Sequence, residues 1–266
     1  MISFPNAKIN LGLNILSKRP DGYHNISSCF YPIPFYDVLE IVKSTDFEFK
    51  STGLSIPGNG NLCVQAFEIL KQDYNIQNVK IHLHKVIPIG AGLGGGSADA
   101  TFTLKMLNAI FELELDDFVL EKYAAKLGSD CPFFVKNTPV LALSTGTEFH
   151  NLDINLKEYF LVLVSPHVHI STVEAYSGVT PKNPSIKLSE SLKQPLTFWK
   201  SRVINDFEGS IFPKHPEISS LKEQMYQQGA IYASMTGSGS AVYGLFESEP
   251  DLSELKDSEC WSGHLK

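Results

Sequence analysis

The chain has 266 residues but no Gly-Lys pair, no Cys-x-x-Cys pair and no dense block of Lys and Arg. Without Gly-Lys there is no GxxxxGK[ST] phosphate loop of the Walker type. The four cysteines (Cys29, Cys63, Cys131, Cys260) are too scattered for a zinc site or a disulfide frame. They fit the reduced thiols of a cytoplasmic protein. No apolar run reaches the ~18 residues that a bilayer-spanning helix needs. The segment Met1–Lys8 lacks the layout of a signal peptide, so a cytoplasmic location is expected. A net charge of −7 with no basic block argues against nucleic acid and against an anionic membrane surface as partners. No internal repeat or low-complexity tract is present.

What remains is an ordinary globular composition, 43% hydrophobic and 19% charged. The length allows one large or two modest domains. The pattern predicts strands over 7–16, 26–30, 38–42, 47–51 and 79–85, with Pro32 and Pro34 interrupting after the second. In 79–85, Val79, Ile81 and Leu83 alternate with Lys80, His82 and His84, as in a half-buried strand. A loop at 58–61 ends in a helix cap at Asn61, and a helix follows over 62–70. Further helices are expected over 97–111 and from Asp116 or Asp117 to Leu127, with Gly128 as the stop. Strands are expected over 131–135 and 140–144, and in the second half over 159–164, 232–235 and 241–246. Helices are expected over 203–207 and 218–227, and 180–195 is read as an exposed or mobile connection. Runs of strands followed by runs of helices make this an α+β chain, with a domain boundary near residue 150.

The densest signal is Pro88-Ile-Gly-Ala-Gly-Leu-Gly-Gly-Gly-Ser-Ala-Asp-Ala100, where five of the seven residues from Gly90 to Gly96 are glycine. Each glycine loses more conformational freedom on folding than another residue would, so such a run needs a local reason. A glycine loop that opens onto a helix N-terminus offers free amides and a favourable dipole to an anion, here a phosphate. Gly90-Ala-Gly-Leu-Gly-Gly95 also matches the GxGxxG dinucleotide fingerprint, which keeps a dinucleotide-dependent oxidoreductase as an alternative. Pro88, where a central strand should continue, and the poor second strand after Glu112 and Glu114 argue against it.

Pro88–Ala100 closely resembles the second motif of the GHMP kinases, the galactokinase, homoserine, mevalonate and phosphomevalonate kinase superfamily. Pro5-Asn-Ala-Lys8-Ile-Asn10-Leu resembles the first motif, and Met235-Thr-Gly-Ser-Gly239-Ser-Ala-Val the third. Lys18-Arg-Pro-Asp-Gly-Tyr-His24 and Leu127-Gly-Ser-Asp130-Cys-Pro-Phe-Phe134 resemble the branch that phosphorylates a cytidine-diphosphate-linked methylerythritol in the non-mevalonate route to isoprenoids. The resemblance runs from about Phe4 to Phe246. It implies a two-domain fold: a ribosomal protein S5 domain 2-like N-terminal domain over 1–152 and a ferredoxin-like α/β C-terminal domain over 153–266, with the active site in the cleft between them. It also implies ATP, Mg2+ carried with ATP rather than held by protein ligands, and transfer of phosphate to the 2-hydroxyl of a small cytidine-diphosphate-linked substrate. Another small-molecule kinase of the same superfamily is the nearer alternative. A monomer or weak homodimer is expected.

By this resemblance Asp130 is the catalytic carboxylate that takes the hydroxyl proton, and Lys8 the cation beside it. Read alone, Asp130 would be a turn residue and Lys8 a surface lysine. The ATP-binding residues implied are Asn61, Lys85, Pro88, Gly90, Ala91, Gly92, Leu93, Gly94, Gly95, Gly96, Ser97 and Ala98. Ser97 is either an N-cap or a hydroxyl offered to phosphate, and Asn61 is a cap that also touches the adenine side. On the substrate side, Asn10 shares a strand face with Lys8 and either hydrogen-bonds the substrate or orients Lys8; His24 binds the base edge, Tyr23 meets the base by packing or a polar contact, and Tyr176 covers its opposite face. Thr172 and 237–239 complete that side and brace the loop, with Gly237 and Gly239 as turn residues alone the other reading. Cys131 is read as structural. No role is assigned to His167 or His169.

Overall fold

A computed structural model of the chain describes residues 1–58, 60–166, 168–253 and 259–265. Asn59 of the expected 58–61 loop and His167 lie outside the described residues. In chain order the first half runs β1 (Ile2–Ser3), β2 (Asn6–Lys18), β3 (His24–Tyr36), β4 (Val38–Lys43), β5 (Glu48–Gly53), α1 (Leu62–Tyr74), β6 (Val79–Lys85), α2 (Gly95–Ile110), α3 (Asp117–Leu127), α4 (Phe133–Lys136), β7 (Val140–Leu143) and β8 (Glu148–Asn151). The second half runs β9 (Phe160–Ser165), α5 (Thr172–Ser177), α6 (Leu188–Ser191), a 3-10 turn (Leu196–Phe198), α7 (Trp199–Arg202), α8 (Glu208–Ile211), α9 (Pro216–Gln227), β10 (Tyr232–Met235), β11 (Val242–Phe246) and β12 (Glu259–His264). No helix among the described residues is long and apolar enough to cross a membrane.

The chain forms two compact units that are not consecutive halves. The first comprises Met1–Ala7, Phe35–Ile89 and Gly94–Thr138, and the second Lys8–Pro34, Gly90–Leu93 and Pro139–Lys266. In the first unit a sheet of order β1-β4-β6-β5 pairs β5 parallel to β6 and its other neighbours antiparallel. The alternation expected for β6 is present: Val79, Ile81, Leu83 and Lys85 are buried, and Lys80, His82 and His84 are exposed. Leu39, Ile41, Ile81 and Leu83 pack there with Phe67 and Leu70 of α1, Leu104 and Leu107 of α2, and Leu120 of α3. Asn61 caps α1 by accepting from the Cys63 amide at 2.8 Å, and Asp116 caps α3 by accepting from Val119 at 2.9 Å.

In the second unit an antiparallel sheet of order β10-β11-β9-β12 packs Val162, Val164, Ala233, Met235 and Val242 with Ile218, Leu221 and Met225 of α9. A further sheet has the order β2-β3-β7-β8. Its long strand β2 is buried from Asn6 to Ile15 on both faces, so alternation is only partial in the sequence.

Several expectations from the sequence are corrected. Residues 131–135 form no strand; Cys131 and Pro132 turn into α4, with Pro132 at φ −59°. Residues 203–207 are not a helix: Val203 is extended, and the chain turns between α7 and α8. The prolines do not end the second strand. β3 continues through Pro32 and Pro34, beyond Phe30 where its ladder with β7 ends, so their missing amides leave no gap in that ladder. The 180–195 segment is not simply exposed: Leu188 and Leu192, four apart, are buried on one face of α6. The glycine-loop helix begins at Gly95 with Gly94 as its cap, so Ser97 is not the N-cap.

Candidate active site

The glycine loop is where the chain passes between units. Gly90–Leu93 belong to the second and Gly94 onward to the first. Gly90, Gly92 and Gly94 all have positive φ, at 71°, 79° and 70°. At Gly92 the demand is double. Besides its φ, a Cβ there would lie 2.1 Å from the backbone oxygen of Thr236, inside any allowed contact. The turn of the third motif therefore abuts the tip of the second: Thr236 Oγ1 donates to Gly92 O at 3.2 Å, and the Ala241 amide donates to Ala91 O at 3.2 Å. A Cβ on Gly237 would lie 3.1 Å from Gly92 Cα. A Cβ on Gly90 would lie 3.1 Å from His169 Nδ1, which puts His169 against the loop.

Lys8 also reaches this tip. It is only 3% exposed, not a surface lysine. Its Nζ donates to Asn10 Oδ1 at 2.6 Å and to Gly92 O at 3.1 Å, and it lies 4.9 Å from the centroid of the Phe30 ring. These contacts offset the cost of burying the charge. The Lys8 amide donates to Leu93 O at 2.9 Å, tying β2 to the loop. Asn10 is oriented in turn. Its Nδ2 donates to Ser28 Oγ at 2.8 Å, its amide to Thr236 Oγ1 at 3.0 Å, and its carbonyl accepts from Tyr243 at 2.8 Å. Two-residue spacing on a strand puts Lys8 and Asn10 on one face.

The residues expected to hold the base also converge in the second unit. His24 and Tyr176 stack with centroids 4.6 Å apart and planes 19° apart, and Phe207 meets Tyr176 edge-on at 4.8 Å. His24 and Tyr176 line a cavity of about 570 Å³ together with Lys18, Tyr23, Thr145 and Thr172. Tyr23 is 67% exposed. Thr172 opens α5, whose cap is Ser171. Tyr176 gives a face to His24, so the structure has no open slot between these two rings.

In the first unit, Gly94 caps α2 with no side-chain hydrogen bond. Helix geometry leaves the amides of Gly94, Gly95, Gly96 and Ser97 without intrahelical acceptors. Gly96 is exposed, and Pro88 and Ser97 are half-buried; Ala91, Leu93, Gly95 and Ala98 are buried. Asp130 lies in the turn between α3 and α4, half-buried, and α2 holds that turn: Thr101 Oγ1 donates to the Cys131 carbonyl at 2.8 Å. Burial pushes the Cys131 thiol up to about 11, with Ser97 and Thr101 beside it lowering it in part. A thiol so held is unreactive at neutral pH, as a structural role requires. Asp130 belongs to the first unit and Lys8 to the second.

Lys85 is where the sequence reading was least complete. Its ammonium, 3% exposed, lies 2.8 Å from Asp99 Oδ2 and 2.5 Å from Asp37 Oδ2. Burial opposes its charge, but the Asp99 and Asp37 carboxylates outweigh burial and hold Lys85 above the usual lysine value. Burial pushes the Asp99 carboxyl up to about 7, against the pull of Lys85 and with Asp37 adding to the rise. Neither aspartate was singled out from the sequence. A charged residue among Ala98, Ala100, Thr101 and Thr103 on a buried helix face was the available signal for Asp99. Asp37, between two strands, reads as an ordinary turn residue and carries none.

Two family descriptions match this chain, GHMP kinases N terminal domain over 61–137 and GHMP kinases C terminal over 188–258. A protein of Parabacteroides distasonis named 4-diphosphocytidyl-2-C-methyl-D-erythritol kinase is 52% identical over 270 residues, 100% of both chains. One of Cytophaga hutchinsonii with the same name is 53% identical over 254 residues, 94% of each. Among solved structures, a crystal structure of 4-(cytidine 5'-diphospho)-2C-methyl-D-erythritol kinase superposes with a TM-score of 0.86 at 29% identity, covering 100% of this chain and 99% of that one. A mevalonate kinase crystal structure gives 0.76 at 16% identity over 100% and 99%, a likeness of fold alone. The superfamily and branch that the motifs pointed to are those of these relatives.

Proposed function

The chain belongs to the GHMP kinase family, and from that premise we propose that it phosphorylates 4-diphosphocytidyl-2-C-methyl-D-erythritol at its 2-hydroxyl, with ATP as donor. The acceptor is the one in the names of its full-length relatives at about half identity. The observation that carries the reading is the turn at Gly94–Ser97. It presents the amides of a 16-residue helix that have no intrahelical acceptor and no side-chain cap, preceded by glycines in conformations that other residues rarely adopt. This donor set fits the phosphates of ATP. Asn61, at the N-terminus of α1, belongs to the nucleotide side of the proposal.

In the proposed reaction the amides of Gly94–Ser97 orient the γ-phosphate for in-line attack. Asp130 accepts the proton of the acceptor hydroxyl as the bond to phosphorus forms. Lys8, aimed by Asn10, stabilises negative charge on the transferred group. Cys131 positions Asp130 as part of the same turn and takes no chemical part. Among the described residues no cluster of three or more His, Cys, Asp or Glu side chains could hold a metal ion. Mg2+ arriving with ATP would supply charge neutralisation there.

His24, Tyr23, Tyr176 and Thr172 form the proposed cytidine end. Their shared cavity and the aromatic rings within it support that assignment. Entry of the base beside Tyr176 requires His24 to leave the stack and turn its ring nitrogens to the base edge. The division at residue 152 falls between the two family matches, which supports it as the domain boundary in sequence. A cytoplasmic location is part of the same proposal, in keeping with relatives that are bacterial enzymes of the same name.

The test is ADP release with Mg-ATP and a panel of acceptors: the cytidyl methylerythritol, mevalonate, homoserine and galactose. Turnover with the first alone is expected. Preference for another acceptor reassigns the branch, and binding of NAD(P) without ATP turnover removes the kinase reading.

A further inference from the structure

The loop 88–94 leaves the sheet at the end of β6 and returns as α2, and one buried cluster joins its two ends. On the entry side, Asp37 Oδ1 accepts from the amides of Val86 at 2.6 Å and Ile87 at 2.9 Å. Its Oδ2 accepts from Lys85 Nζ. On the exit side, Asp99 Oδ2 accepts from the same ammonium at 2.8 Å. A Cβ on Gly95 would lie 2.9 Å from Lys85 Nζ, so the first residue of α2 rests directly on the ammonium. Asp37, Lys85 and Asp99 are 0%, 3% and 2% exposed.

Buried ion pairs add little stability over apolar residues of the same volume, because desolvation consumes the Coulomb gain. Here two carboxylates share one ammonium, and Asp99 Oδ1 is buried with no hydrogen-bond partner. Net stability is therefore a poor account of the cluster. Restraint is a better one. The amides at 86 and 87 and the first turns of α2 are connected by hydrogen bonds through Lys85 Nζ, beside a direct contact in which a Cβ on Gly95 would lie 2.9 Å from Ile87 Cγ2. Cys63 of α1 faces the same cluster as a thiol whose pKa burial raises, and it adds no charge at neutral pH.

We propose that Asp37, Lys85 and Asp99 form a clamp at the base of the glycine loop that sets the spacing of its two ends, and that Asp37 and Asp99 are thereby positioning residues for ATP. The clamp holds the amides of the first turn of α2 at one orientation, so a bound phosphate meets donors that need not reorganise. The link to ATP rests on the loop being the nucleotide site; the clamp as a restraint does not.

The experiment compares Asp99→Ala with Asp99→Asn, whose amide oxygen still accepts from Lys85. In the ligand-free protein, hydrogen exchange at the amides of Val86 and Ile87 is expected to quicken by about tenfold in Asp99→Ala and to stay within about threefold of wild type in Asp99→Asn, the scale of losing one charged hydrogen bond. The Kd and KM for Mg-ATP are expected to rise by about the same factor in Asp99→Ala only, with the acceptor KM unchanged. Unchanged exchange at 86 and 87 overturns the clamp. So does faster exchange spread evenly through α1 and α3, or an acceptor KM that rises with the ATP KM. If Asp99→Ala does not fold, Lys85→Met with Asp99→Leu and Asp37→Asn replaces the charges without leaving a buried carboxylate unpaired and is read the same way. A wild type that binds no Mg-ATP overturns the nucleotide site, while the exchange result still decides the clamp.

Discussion

Gly92→Ala tests whether backbone contact with the third motif holds the tip of the glycine loop. Two separate costs apply. Gly92 has φ +79°, where an L-residue is strained by roughly 1–2 kcal/mol. Its new Cβ would start 2.1 Å from Thr236 O, whereas ordinary contact begins near 3.4 Å, so one backbone segment must move by about an ångström. Forcing extra volume into a packed site costs about 1–3 kcal/mol. The movement also disturbs Gly92 O, which accepts from Lys8 at 3.1 Å and Thr236 at 3.2 Å. A total near 3 kcal/mol corresponds to a fall in Tm of about 6–12 °C for a protein of this size. Gly229→Ala is the control: Gly229 has φ +93° with nothing within 4 Å of a built Cβ, so it carries the conformational cost alone. Thermal unfolding of the two variants beside wild type separates the costs, and the ATP KM should rise only in Gly92→Ala. Equal losses of Tm in both variants, or a Gly92→Ala protein as stable as wild type, would refute the contact argument.

Asp130→Asn should lower kcat by roughly 10²-fold or more, the low end for a general base, with little change in ATP affinity; near-normal turnover removes Asp130 from the chemistry. His24→Ala should weaken the cytidine-diphosphate substrate more than ATP, as read by separate KM values, and equal effects on both would contradict its assigned end of the site. The Asp99 carboxyl has a folded-state pKa near 7, above its ordinary value of 3.8, so the folded protein holds a proton that the unfolded chain releases between those values. The stability of wild type relative to Asp99→Asn should therefore fall as pH rises from about 4 to about 7 and then level off. Tm values of both proteins at pH 5 and pH 8 check this, and a constant difference would show that the carboxyl does not titrate in that window.

Local signals located much of the molecule correctly. The alternation in β6, the caps at Asn61 and Asp116 and the glycine-to-helix junction are properties of short stretches, and each appears within a residue or two of its expected place. Short elements were the misses. α4 and α8 have four residues each, too few for a helical period to emerge, and Pro132 masks the start of α4. The prolines of β3 misled because a proline is compatible with a strand wherever no neighbour needs its amide, and the neighbours of a strand are not written in its own residues. Stacking of His24 on Tyr176 joins residues far apart in the chain, and only the motif resemblance had put both at one end of the site.

Motif order and spacing along the chain were sufficient to identify a GHMP kinase and to point at its loop, because glycine runs, caps and alternation act over a few residues. Which groups neutralise a buried charge is a different kind of fact. Lys85 looked like a nucleotide contact at the end of a strand, and folding surrounded it with Asp37 and Asp99 from other elements. Lys8 looked like a surface cation, and folding buried it against Asn10, Gly92 and Phe30. Electrostatic partners are set by distance in space, and a linear pattern carries no distance between residues that the chain brings together from afar.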